Sequence, residues 1–145
     1  MSTDFFKEKK FNNVIIFIVE DNEVYAKSLK TFIQNRFSDI KEIKVFRIGE
    51  MCLLELHRNP MIVIMDYFLN SKYEEAYNGL EIIKRIKSLK PQTHIIVLSI
   101  QKNIDVILES IKQYDCIYIQ KDKEAFAKIE QAIKDIFKNK TEKWN

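Results

Sequence analysis

Residues 14–21 read Val-Ile-Ile-Phe-Ile-Val-Glu-Asp (VIIFIVED), six apolar residues running without a break into two carboxylates. A short, β-branched apolar run has no polar face to offer water, so it suits a strand covered on both sides, as in a parallel sheet. Four more short runs follow: residues 43–48 (IKVFRI), 61–65 (MIVIM), 94–98 (HIIVL) and 116–119 (CIYI). Three of them are again nearly continuous. The 43–48 run alternates, with Lys44 and Arg47 interrupting the apolar residues, which suits an edge strand.

Helical spacing fills the gaps. Tyr25, Leu29, Phe32 and Ile33 share one face of a first helix over about residues 22–37. Met51, Leu53 and Leu54 mark a short second helix that stops before Asn59-Pro60. Leu80, Ile83 and Ile86 form a third, ended by Lys90-Pro91, and Ile104, Ile107, Leu108 and Ile111 a fourth, with Asn103 as its N-cap. Phe126, Ile129, Ile133, Ile136 and Phe137 line a fifth. These stripes are expected to be core. Strand and helix thus alternate five times, which predicts an α/β fold: a doubly wound (βα)5 parallel five-stranded sheet with right-handed crossovers and helices on both faces.

The 145 residues make one domain, and 46% hydrophobic with 31% charged residues is a globular composition. A net charge of +3, spread along the helices, gives no reason to expect nucleic acid or membrane as partner. The N-terminus has no apolar stretch of signal-peptide type, and no apolar run approaches the roughly 18 residues that span a bilayer. A cytoplasmic protein is expected, with Cys52 and Cys116 as small core residues in a reducing compartment. Residues 138–145 (KNKTEKWN) are predicted to be a frayed tail.

In a parallel sheet the functional groups collect at the carboxyl ends of the strands, near the point where strand order reverses. The first strand runs into Glu20-Asp21, the third into Asp66, the fourth into Ser99, and the fifth into Gln120-Lys121. Three carboxylates in one cleft repel each other unless a cation joins them. All-oxygen donors suit Mg²⁺, a hard ion that keeps several waters and takes one or two protein carboxylates.

On these residues the chain resembles the receiver domains of bacterial response regulators, the switches of two-component signalling, over about residues 13–138. Residues 1–12 stand before that domain as an extension and 139–145 after it as a tail. The resemblance implies the flavodoxin-like strand order 2-1-3-4-5. It implies that Asp66 accepts a phosphoryl group, with Lys121 contacting that group and Ser99 hydrogen-bonding one of its oxygens. It further implies a Mg²⁺ site made by Asp21, Asp66, the backbone carbonyl of Phe68 and, through a water, Glu20. Ser99 and Tyr118 then form the switch pair. Asn78-Gly79 resembles the Asp/Asn-Gly that opens the third helix of the family. Added charge of about −2 draws Ser99 inward, Tyr118 follows, and the face made by the fourth helix, fifth strand and fifth helix changes shape.

The partners implied are a sensor histidine kinase or histidine phosphotransfer protein upstream and a protein target downstream. The protein itself is expected to be a monomer or a weak homodimer through that same face. Such a chain is a signalling switch, catalysing only its own phosphorylation and dephosphorylation. The alternative is a degenerate receiver that docks a partner without being phosphorylated.

Several positions depart from the family pattern. Asn70 replaces a Pro, and residues 71–77 (SKYEEAY) lengthen the loop after Asp66. Asp122 stands where the family has a Pro after a cis peptide bond; without Pro a cis bond costs about 3 kcal/mol more, so a trans bond and a shifted Lys121 are expected. Ile100 is bulky beside Ser99 and is expected to narrow access to Asp66, while Phe68 and Gln101 occupy positions that tune dephosphorylation.

Other chemistries fit less well. A flavin carrier of this topology needs a phosphate-cradling loop after the first strand, where Glu20-Asp21-Asn22-Glu23 would repel phosphate. A phosphatase with an aspartyl nucleophile needs an acid at position 68, which is Phe, and two glycines in the whole chain exclude a P-loop. His57 and His94 lie apart with no ligand cluster, which argues against zinc.

Overall fold

Parallel pairing of short buried strands sets the layout. A computed structural model describes residues 11–67, 79–100 and 105–144 of the chain, with the side chains of 106, 107, 110 and 140–144 left aside. The strands are β1 (Ile15–Val19), β2 (Glu42–Phe46), β3 (Ile62–Asp66), β4 (His94–Ser99) and β5 (Ile117–Gln120). Helices α1 (Glu23–Arg36), α2 (Gly49–Leu54), α3 (Gly79–Leu89), α4 (Asp105–Lys112) and α5 (Ala125–Trp144) alternate with them, and a 3₁₀ turn (Leu56–Arg58) extends α2. All four strand pairings are parallel, in the order β2-β1-β3-β4-β5. This is the doubly wound, flavodoxin-like sheet expected.

Successive strand residues point to opposite faces, so the central strands feed two separate cores. Ile16 and Ile18 pack with Leu29 and Ile33 of α1 and Ile129, Ile133 and Ile136 of α5. Ile15, Phe17 and Val19 pack on the other side with Cys52 of α2, Ile82, Ile83 and Ile86 of α3, and Ile111 of α4. Every residue of β1 is buried, which is why its sequence carries no polar interruption. Among the described residues, no helix is long and apolar enough to cross a membrane.

Four local expectations are corrected. Met51 and Leu54 do not face the core but stand in solvent, and Cys52 and Leu56 are buried in their place. Leu108 is likewise exposed on α4. The fifth strand is not covered on both faces: it forms the second sheet edge, and only Ile119 in it is buried. The stretch predicted to fray continues α5 as far as Trp144, since Lys, Glu and Thr supply no breaker even though they supply no apolar stripe. Asn103, the predicted cap of α4, lies outside the described residues.

β1 connects to β2 on one side of it, and β3 lies on the other side. The reversal opens a crevice between the carboxyl ends of β1 and β3, and functional groups gather there.

Candidate functional site

Each candidate side chain is held by the last bonds of a strand ladder. The Glu20 amide donates to Phe46 O at 2.9 Å, prolonging the β1–β2 ladder by one residue and drawing Glu20 into the interior. Its Oε2 accepts from the Asn22 amide at 3.1 Å. Asn22 in turn caps α1, its Oδ1 accepting from the Tyr25 amide at 3.0 Å. Asp21, between them, is exposed.

Asp66 closes β3 and is half-buried. The Tyr67 amide donates to Leu98 O at 2.9 Å, so β3 stays registered on β4 past the carboxylate. Gly79 lies against the same corner: a Cβ there would run into the Tyr67 carbonyl oxygen and come within 2.9 Å of its ring. The glycine that opens α3 is thus required by a close backbone approach.

Ser99 ends β4 fully buried. Its carbonyl accepts from the Lys121 amide at 2.8 Å. The Tyr118 and Ser99 side chains share a hydrogen bond. Burial pushes the Tyr118 phenol above its ordinary pKa, with the bond to Ser99 opposing.

The Lys121 ammonium donates to Glu20 Oε1 at 2.5 Å and to Asp66 Oδ2 at 3.2 Å. Its side chain is only 9% exposed, beside 2% for Glu20 and 14% for Asp66. Burial alone would lower the lysine's pKa. The hydrogen bond to Glu20 and the charges of Asp66 and Glu20 outweigh it and leave the ammonium raised above its usual value. Glu20 is also raised, because burial of its carboxylate exceeds what Lys121 and the Asn22 amide return.

The Lys121–Asp122 peptide is trans, as expected without a proline. With this trans bond Lys121 still reaches Asp66, at 3.2 Å. The β4–β5 ladder carries through its amide, and Asp122 turns the chain by donating its own amide to Gln120 O at 2.9 Å. Asp122 Oδ1 then accepts from the Glu124 amide at 2.9 Å, starting α5 with a side-chain bond.

Glu20, Asp21 and Asp66 each present an oxygen within 4.8 Å of the others. Among the described residues, one ammonium against three carboxylates leaves the cleft net negative. Both Glu20 oxygens already accept a hydrogen bond, while Asp21 faces solvent at the entrance. An all-oxygen, net-negative, solvent-reachable cluster fits a hard divalent cation such as Mg²⁺.

The structure therefore brings together Glu20, Asp21, Asp66 and Lys121 at one end of the sheet, with Ser99 and Tyr118 paired on the adjoining strands. Ile100 stands in solvent at the end of β4. Phe68, Asn78, Gln101 and the 71–77 loop lie outside the described residues. One residue of the site was missed by sequence reasoning. Tyr25, expected as a core residue, places its ring under the Lys121 ammonium, 4.3 Å from the ring centroid. Its apolar spacing on α1 is the same for a core tyrosine, so no sequence signal distinguished it.

A family model described as the response regulator receiver domain matches residues 16–134. The chain belongs to that family, whose members are phosphorylated switches of two-component systems and bind Mg²⁺ at an acidic pocket. Among solved structures it is similar to the RcsB response regulator of Salmonella typhimurium, studied for DNA interaction. The identity is 20% and the TM-score 0.75, over 88% of this chain and 61% of that one. A DNA-binding response regulator of the LuxR family from Staphylococcus aureus is 17% identical, with a TM-score of 0.72 over 86% of this chain and 98% of that one. The signal receiver domain of a DNA-binding response regulator (merR) from Colwellia psychrerythraea is 23% identical, with a TM-score of 0.73 over 86% and 98%. The chain thus spans less than two thirds of the RcsB chain and nearly all of the other two. Comparison with curated proteins gives no match.

Proposed function

We propose that this chain is a phosphorylation-driven switch in which Asp66 accepts a phosphoryl group from a sensor histidine kinase or a histidine phosphotransfer protein. The observation that carries this reading is the Lys121 ammonium, 3.2 Å from Asp66 Oδ2 inside a cleft of three carboxylates. A carboxylate oxygen of Asp66 attacks phosphorus, a P–O bond forms, and the donor's P–N bond breaks with its electron pair leaving on the imidazole. Lys121 offers its charge to the oxygens of the transferred group, and Ser99 its hydroxyl. Phosphoryl transfer depends mainly on such positioning and charge neutralisation.

Asp21 and Asp66 would hold Mg²⁺, with the Phe68 carbonyl as the further protein ligand the family suggests and Glu20 behind a water. The ion supplies positive charge that screens an incoming phosphate from the acidic rim. Glu20, engaged on both oxygens, keeps Lys121 and the start of α1 in place.

A phosphoryl group on Asp66 competes with the carboxylates for Lys121 and draws the Ser99 hydroxyl toward it. The Ser99–Tyr118 hydrogen bond links that movement to β5 and hence to the α4-β5-α5 face, where a downstream protein or a second copy would be read. Moving such an equilibrium fully needs about 5.5 kcal/mol of differential stabilisation. The switch unit corresponds to residues 13–138.

Incubation with Mg²⁺ and acetyl phosphate, followed by intact mass, tests the proposal. A phosphoryl adduct that disappears in Asp66→Asn is expected. Absence of an adduct from acetyl phosphate and from a cognate kinase would overturn it and leave a receiver fold used for docking alone.

A further inference from the structure

Among the described residues around the cleft, the Tyr25 ring is one to which the phosphorylation chemistry assigns no task. We propose that Tyr25 is a positioning residue whose ring face holds the Lys121 ammonium at Asp66; this rests on reading Lys121 as the lysine that contacts the phosphoryl group. A closed circuit of four residues supports it. Glu20 Oε2 accepts from the Asn22 amide, and Asn22 Oδ1 accepts from the Tyr25 amide. The Tyr25 ring lies against Lys121 Nζ, and Lys121 returns to Glu20 Oε1. The strand end, the helix cap, the ring and the lysine therefore fix one another. Asp66 stands outside the circuit and receives the ammonium that the circuit positions.

An ammonium on a four-carbon stem is flexible, and its place has to be enforced. Two of its directions go to Glu20 and Asp66, and the aromatic face covers another. Because Lys121 is almost fully removed from solvent, the attraction between cation and ring lies toward the strong end of its range. The ring is itself braced. It meets Phe126 of α5 edge-on, with centroids 5.5 Å apart, and Phe126 packs on Phe32 of α1 at 5.2 Å. Tyr25 thereby ties the first turn of α1 to the helix that follows Lys121.

The hydroxyl has no part in this. It is buried and has no hydrogen-bond partner among the described residues. A buried, unsatisfied hydroxyl costs stability, so the aromatic face is the working part, and phenylalanine should serve as well.

The test compares the full-length wild type with Tyr25→Phe, Tyr25→Leu, Lys121→Met and the Tyr25→Leu/Lys121→Met double variant. The rate of adduct formation from acetyl phosphate is measured at saturating Mg²⁺, and Mg²⁺ affinity by calorimetry. Tyr25→Leu is expected to slow the reaction about tenfold, equivalent to about 1.4 kcal/mol, with Mg²⁺ affinity unchanged. Tyr25→Phe should stay within about twofold of wild type, and Tyr25→Leu should add less than about twofold in the Lys121→Met background. The proposal is overturned if phenylalanine slows the reaction as much as leucine does, or if the leucine effect persists undiminished without Lys121. If wild type takes no adduct from acetyl phosphate or from a cognate kinase, the phosphoryl-acceptor reading fails on its own. Urea midpoints of the same proteins then decide: a non-additive loss supports the contact between Tyr25 and Lys121, and an additive one overturns it.

Discussion

Replacing Lys121 by Met keeps most of the stem's volume and removes the one ammonium shared by Glu20 and Asp66. At an effective dielectric of about 20, contacts of 2.5 and 3.2 Å correspond to about 5–7 kcal/mol each before desolvation. Desolvation of the lysine offsets much of this, and breaking a buried pair from one side costs about 3–5 kcal/mol net. That is the loss expected at pH 7.5 in EDTA, read from urea unfolding followed by far-UV circular dichroism. The loss should also depend on pH. Burial already holds Glu20 above its ordinary pKa, and without the ammonium less opposes that shift. A carboxyl whose folded pKa exceeds its unfolded value contributes stability at low pH that is lost as pH rises through the folded value. The penalty of Lys121→Met should therefore shrink on acidification toward pH 5.5, by up to about 1.4 kcal/mol per pH unit between the two pKa values. A penalty below about 1 kcal/mol, or one equal at both pH values, would refute this account of the cleft.

In the wild type the raised Lys121 pKa has the opposite consequence at high pH. Its contribution is complete below the unfolded value of about 10.4 and is lost as pH rises through the folded one, so alkaline urea midpoints should fall more in wild type than in Lys121→Met. Gly79→Ala should cost about 1–3 kcal/mol in the same urea assay, because the added methyl meets the Tyr67 backbone carbonyl as well as its ring, and the backbone cannot swing aside as a side chain would. Mg²⁺ at ten times its Kd should stabilise the wild type by about 1.4 kcal/mol, and Asp21→Asn should lose most of that gain. Burial raises the Cys52 thiol to about 12 and the Cys116 thiol to about 11, so thiolate is scarce at pH 8. Iodoacetamide should modify them about a thousandfold and a hundredfold more slowly than in urea, and rates close to the unfolded ones would contradict the burial.

Strand identity, strand number and the chemical groups at the strand ends were legible in the sequence alone. Continuous β-branched runs report burial on both faces. The residue after such a run must emerge at the carboxyl edge, and for that reason Glu20, Asp21, Asp66, Ser99 and Lys121 were recognisable as neighbours despite their separation along the chain. Asp122 in place of a proline was legible too, but its consequence was not: the β4–β5 ladder and the Asp122 side-chain bond hold Lys121 in reach of Asp66 without a cis peptide.

Tertiary structure decided what local pattern leaves underdetermined. A six-residue helix has fewer than two turns, too few to fix the phase of an apolar stripe, and α2 accordingly turns Cys52 inward while Met51 and Leu54 face water. The partly covered β5 follows from strand order, a product of long-range pairing that a four-residue run cannot encode. Tyr25 received its role in the same way. Its spacing places it on the inner face of α1, but only the docking of α5 and of the Lys121 turn against that face puts a cation over the ring. Periodicity specifies which side of an element is buried; what lies opposite is settled by packing.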